Sequence, residues 1–193
     1  MEKRNWKHIV TLKQRMVLCL AAFFAAFALQ LALNGYQARA VQQVQDDQMG
    51  NFNAISRFQG GVESSISILE AYRWENGETV EMLEKLQAAC STSNAWLWRI
   101  RSNMDGLQNV SDEQWVLYGA VETTYGSYNT LLEELESYLS SGQEAKASQL
   151  YYNKVSVCGG YLSQYTMQLL NAASRHAQTT YTKISERGER IAL

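Results

Sequence analysis

The strongest pattern in the chain is an uninterrupted apolar block near its start. Residues 16–33 read MVLCLAAFFAAFALQLAL, eighteen positions with no charge and with Gln30 as the one strongly polar side chain. At a helical rise of 1.5 Å per residue such a block spans about 27 Å, close to the hydrocarbon thickness of a bilayer. It is longer than the apolar core of an ordinary cleaved signal peptide, although Ala38-Arg39-Ala40 has the A-x-A form of a cleavage site. The pattern predicts an uncleaved transmembrane helix over 16–33, with Trp6 and Tyr36 placed for the two interfaces.

Beyond residue 34 the pattern changes to amphipathic helices. Phe52, Ile55, Phe58, Val62, Ile66 and Leu69 recur at steps of three and four and predict a first helix running to about Trp74. Gly60-Gly61 falls inside it, suited to a bend or to a close helix contact. Glu75-Asn76-Gly77 signals a turn. Val80, Leu83, Leu86, Cys90, Leu97 and Met104 predict a second helix from about Glu78 to Met104, closed by Asp105-Gly106. Ser111 with Gln114 has the spacing of a capping box and opens the third. There Tyr118, Val121, Tyr125, Tyr128, Leu132, Leu135 and Leu139 form a heptad seam, ended by Ser140-Ser141-Gly142. A fourth helix is predicted from about Glu144 to the end, with Leu150, Val157, Tyr161, Tyr165, Leu169, Ala172, His176 and Ile184 facing inward. No segment keeps a period of two, so the fold class expected is all-α: an up-down-up-down four-helix bundle on a transmembrane helix.

Helix lengths sharpen that expectation. A first helix over 34–75 rises about 60 Å, and a fourth starting near 143 returns the same distance near residue 184. The second and third are shorter, at about 40 Å. Their connection should then hang about 20 Å above the bilayer, over a two-helix stalk, with the chain ending at an expected second span. The organisation expected is a basic tail at 1–15, a transmembrane helix at 16–33 and a helical-bundle domain at 34–193.

Charge fixes the expected orientation. Residues 1–15 carry Lys3, Arg4, Lys7, Lys13 and Arg15 against Glu2, whereas 34–193 carry 12 Lys+Arg against 18 Asp+Glu. The positive-inside rule places the N-terminus in the cytoplasm and the remainder outside. Proline is absent from all 193 residues, which removes the chief breaker of long helices. Basic residues beyond the span are too scattered to suggest nucleic acid.

The sequence offers little catalytic chemistry. His8 lies in the basic tail and His176 on an inner stripe, where a histidine is ordinarily a packed bundle residue. No H-E-x-x-H, C-x-x-C or glycine-rich phosphate loop occurs, so no metal, no cofactor and no enzyme activity is implied. Glu133, Glu134 and Glu136 read as a solvated face. Cys19 is apolar filler within the span. Cys90 and Cys158 stand on inner stripes in a compartment that permits a disulfide, and two readings stand: a bridge, or two buried thiols, the second being favoured. Of the 11 tyrosines and 5 tryptophans, Tyr72, Trp74, Trp96, Trp98 and Trp115 are the candidates for a ligand pocket or for packing between helices.

A basic tail, one span and a helical region rich in Tyr, Leu and Glu resemble the sensor region of two-component sensor histidine kinases, most closely the YesM-like group. The residues that carry the resemblance are Tyr125 to Leu139, Ser141-Gly142-Gln143, Tyr151-Tyr152 and the segment Tyr161–Leu170. The resemblance implies a cell-membrane signal-input module. A small-molecule or protein ligand would act on it through helix shifts, and it would work as a homodimer. A second span, a HAMP linker, a phospho-accepting histidine helix and an ATP-binding domain would follow. His176 lacks the phospho-acceptor context and receives no such role. Two other readings share the outer architecture: a chemoreceptor input module, and a stand-alone anchored helical protein that binds other membrane proteins.

Overall fold

The computed structural model describes residues 12–72, 79–107 and 110–192, and among them there is no β-strand. Helix α1 covers Leu12–Ala71, α2 Thr79–Gly106 and α3 Asp112–Ser140. Helix α4 covers Glu144–Leu150 and α5 Ser156–Ala192, and a π turn at Tyr151–Val155 joins them. The capping box forms as the spacing predicts. Gln114 N–H donates to Ser111 Oγ at 3.3 Å, and Ser111 N–H donates to Gln114 Oε1 at 3.1 Å. Two of the orphan donors at the start of α3 are thereby satisfied. The other end of α3 closes on Gly142, whose φ of 71° lies in the left-handed region that glycine enters without steric cost. Gly142 N–H reaches Leu139 O at 3.0 Å and Gln143 N–H reaches Tyr138 O at 2.8 Å, the paired bonds of a Schellman stop.

Contacts divide the chain into two units, residues 1–43 and 44–193. Within the first, the residues from Met16 to Leu33 are all exposed, and their helix is long and apolar enough to cross a membrane. Within the second, one apolar core draws on every helix: Ile55, Phe58, Val62 and Leu69 from α1, Leu86, Leu97 and Ile100 from α2, the α3 seam, and Leu162 and Leu169 from α5. Phe58 meets the Tyr125 ring edge-on at 5.3 Å, and Ser65 Oγ lies 3.0 Å from Tyr128 Oη.

All seven seam residues of α3 are buried. The other helices depart from the predicted faces in ways their geometry explains. In α1 the phase set by Ile55, Phe58 and Val62 puts Asn51 inside, four residues before Ile55, and leaves Phe52 38% exposed. In α2 the phase of Leu86, Leu97 and Met104 selects Met82, Ser93 and Ile100, while Val80 is exposed. In the fourth helical stretch the predicted line fails at Val157 and Tyr161, 51% and 54% exposed, and the buried line is Tyr151, Val155, Leu162, Thr166 and Leu169. The π turn is the cause. It adds one residue to a single helical turn, so each inward position beyond it falls one residue later than an unbroken helix would place it. Tyr165, His176 and Ile184 end at intermediate exposure. Trp74 and the turn at 75–77 lie outside the described residues.

Candidate functional site

The predicted aromatics do not converge. Tyr72, 8% exposed just past the end of α1, has its hydroxyl 2.8 Å from Thr79 Oγ1. Trp96 is half-buried against the core and shares a surface pocket with Gly50, Ala95, Arg99 and Asn103. Gly50 stands about 30 Å along α1 from Tyr72 at 1.5 Å per residue, which rules out one pocket for Tyr72 and Trp96. Trp98, two positions from Trp96, turns away and is 71% exposed. Trp115 packs its edge against Tyr118, with ring centroids 6.2 Å apart. Trp74, like His8, lies outside the described residues.

Cys90 and Cys158 are free thiols, each beside the same stretch of α3. Tyr125 Oη donates to the Cys90 carbonyl at 2.8 Å, and Cys158 Sγ lies 3.7 Å from the Thr124 carbonyl. Burial pushes the Cys90 thiol up to about 11 and raises Cys158 as well, because the thiolate is poorly solvated there. The same cause lifts Tyr125 to about 12 and raises Tyr128. Tyr118 reaches about 12, with the Glu122 carboxylate, 3.1 Å from its hydroxyl, adding to burial. A thiol held protonated is a weaker nucleophile than its thiolate. Among the described residues no three His, Cys, Asp or Glu side chains group in a way that could hold a metal ion.

A concave feature does lie between α2 and α3, and its origin is legible. Residues 88–95 of α2 read AACSTSNA, eight small or short side chains in succession. On one flank they let α1 come close: a Cβ added to Gly61 would collide with Ser93 Oγ. This is the close-contact role that the Gly60-Gly61 pair suggested, and it is filled without a break in α1. On the other flank the short side chains leave a groove against α3, lined by Leu83, Leu86, Cys90, Asn129, Leu132 and Glu133 among others, with a volume of about 340 Å³. Two rungs cross between the helices here, Tyr125 Oη to Cys90 O at 2.8 Å and Gln87 Nε2 to Glu136 Oε1 at 2.9 Å. Asn129 Oδ1 is enclosed without a protein hydrogen-bond partner.

No protein family matches this chain. No curated protein and no solved structure matches it either. The groove was missed by sequence reasoning because its lining mixes residues already ascribed to the core with an acidic run read as a solvated face. The run of small residues at 88–95 was the available signal.

Proposed function

We propose that the chain is the extracytoplasmic signal-input module of a membrane-bound two-component sensor histidine kinase. The observation that carries the reading is that one helix, Leu12–Ala71, includes both the uncharged apolar run and the residues of α1 that build the core. In such a design a change in helix packing is felt directly by the membrane span. The cross-helix contacts favour the up-down-up-down bundle. Gly61 meets Ser93 while Tyr72 meets Thr79, and Gln87 meets Glu136 while Arg101 meets Glu122. In both helix pairs one number rises as the other falls, as expected of antiparallel neighbours. The basic tail supports a cytoplasmic N-terminus and an outer location for the core. A homodimer gives the symmetric interface through which a shift of this kind is passed on.

Topology comes first in the test. Alkaline phosphatase fused after Leu193 is expected to be active, with the fusion sedimenting in the membrane fraction. An inactive fusion would put the core in the cytoplasm and sink the input-module reading. The transcript beyond the Leu193 codon then decides the output. A second apolar stretch leading to an ATP-binding kinase domain supports the kinase. A methyl-accepting coiled coil makes the chain a chemoreceptor module, and an immediate stop codon leaves a stand-alone anchored protein.

A further inference from the structure

We propose that the outward face of α5 pairs with the same face of a second copy of the chain, as a two-stranded parallel seam. The proposal deepens the homodimer reading above by naming its surface, and it holds whatever output domain follows. Residues 156–174 read SVCGGYLSQYTMQLLNAAS, nineteen positions without a charged side chain. One face of that stretch is buried in the core and the other is uncovered: Val157, Tyr161, Gln164, Gln168 and Asn171 are all exposed. Their steps of four, three, four and three are those of a coiled-coil seam, on the side of α5 opposite Leu162 and Leu169. The exposed sides of α2 and α3 differ, with Glu84, Lys85 and Arg101 on one and Glu122, Glu133 and Glu134 on the other.

The missing charge points to the partner. A two-fold contact sets each residue near its own copy, so a charge on it would meet a like charge, whereas a different partner could answer it with the opposite one. An amide side chain carries both donors and an acceptor and can pair with an identical amide, as Gln164, Gln168 and Asn171 would across the axis. Polar side chains at seam positions also fix register and strand number. Interface centres are poor in charge and rich in tyrosine, which Tyr161 supplies. Glycine gives a separate sign. A Cβ on Gly159 would press on Ile66 and Tyr128, so that glycine serves the chain's own core. A Cβ on Gly160 would meet nothing within 4 Å, and glycine weakens a helix interior, so the chain's own packing gives no reason for it. Next to Tyr161 on the open face, its missing side chain admits the backbone of a neighbouring helix. Copies held in one bilayer by their apolar runs share a direction, which selects the parallel pairing.

The test is oxidative crosslinking of the full chain in membranes, in a background of Cys19→Ala, Cys90→Ala and Cys158→Ala. Gln164→Cys and Asn171→Cys are expected to give a disulfide-linked dimer. The controls Ser91→Cys in α2 and Ser127→Cys in α3, equally exposed, should give little of it. Gln168→Glu in both copies sets two carboxylates at the axis and should cut the Gln164→Cys crosslink about tenfold. Gln168→Lys should do the same, and co-expression of the two should restore the crosslink, because opposite charges then meet. At that exposed position neither variant should change the melting temperature. Light scattering of the detergent-solubilised chain with its own cysteines gives the same reading if the cysteine-free background fails to fold: a dimer that Gln168→Glu converts to monomer. The proposal is overturned if the controls crosslink as well as Gln164→Cys, if the charged variants leave the dimer intact, or if co-expression restores nothing. A dimer through another face sinks this proposal alone, whereas a chain that is monomeric in the membrane sinks the homodimer reading with it.

Discussion

Helix α3 and the fourth helical stretch both carry an apolar periodicity, cleaner in α3, and only α3 buries every residue its periodicity names. All of Tyr118, Val121, Tyr125, Tyr128, Leu132, Leu135 and Leu139 are buried, whereas Val157 and Tyr161 are more than half exposed. The difference is one residue of phase. Helix α3 keeps a regular rise between a capping box and a glycine stop, so its seam projects onto one side throughout. The fourth stretch passes through the π turn at Tyr151–Val155, and the turns just beyond it bury Leu162 and Thr166 in place of Tyr161 and Tyr165, while Leu169 and Ala172 stay inside. An apolar stripe names a buried face only while the helix stays regular.

Deletions give the harshest way to break this comparison. Removing Asn153 takes out the extra residue of the π turn and should leave a plain α-helix with the downstream face unchanged, so cooperative thermal unfolding persists. Removing Gln168, exposed in the middle of α5, rotates the two sides of the helix by about 100° relative to each other and drags either Leu162 or Leu169 off the core. Loss of the cooperative transition is expected there. Equal tolerance of the two deletions would contradict the one-residue shift.

Point substitutions sharpen it. Leu135→Ala in α3 and Leu162→Ala in α5 should each cost about 2–5 kcal/mol in denaturant unfolding, since both are fully buried. Val157→Ala should cost at most about 0.5 kcal/mol. A large effect at Val157 with a small one at Leu162 would restore the unshifted register. Next comes the approach of α1 to α2. Gly61→Val forces Ser93 aside and should cost about 1–3 kcal/mol, with Ser93→Gly recovering part of it in the double variant. No recovery would show that the two residues do not meet.

The gentlest probe is pH, which leaves stability near neutrality untouched. Tyr118 and Tyr125 have folded values near 12 against 10 for an open chain, and Cys90 about 11 against 9. Raised folded values stabilise the protonated, folded state below the open-chain value, and that stabilisation is lost as pH climbs through the folded value. Melting temperature should therefore hold to about pH 9 and fall between about pH 9 and 12. Tyr125→Phe should make the decline shallower, read alongside absorbance near 295 nm. A flat profile through pH 12 would mean these groups are not buried as described.

Much was legible in the residues alone, because it depends on local geometry. The absence of proline and the three-and-four spacing determined that the chain is helical. Ser111 and Gln114 determined where α3 begins, Gly142 where it ends, and residues 16–33 that one segment is apolar enough for a bilayer. The tertiary structure decided what depends on where helices lie against one another. Asn51 rather than Phe52 faces the core because the phase of α1 is set by all its inward residues together, and apolarity at a single position is outvoted. Val157 and Tyr161 face outward because a π turn at Tyr151–Val155 adds a residue before them, a step that periodicity does not encode. The short side chains of residues 88–95 became a close contact with Gly61 of α1 on one flank of α2 and a groove against α3 on the other, because each outcome depends on the neighbouring helix, which is written in no single stretch of sequence.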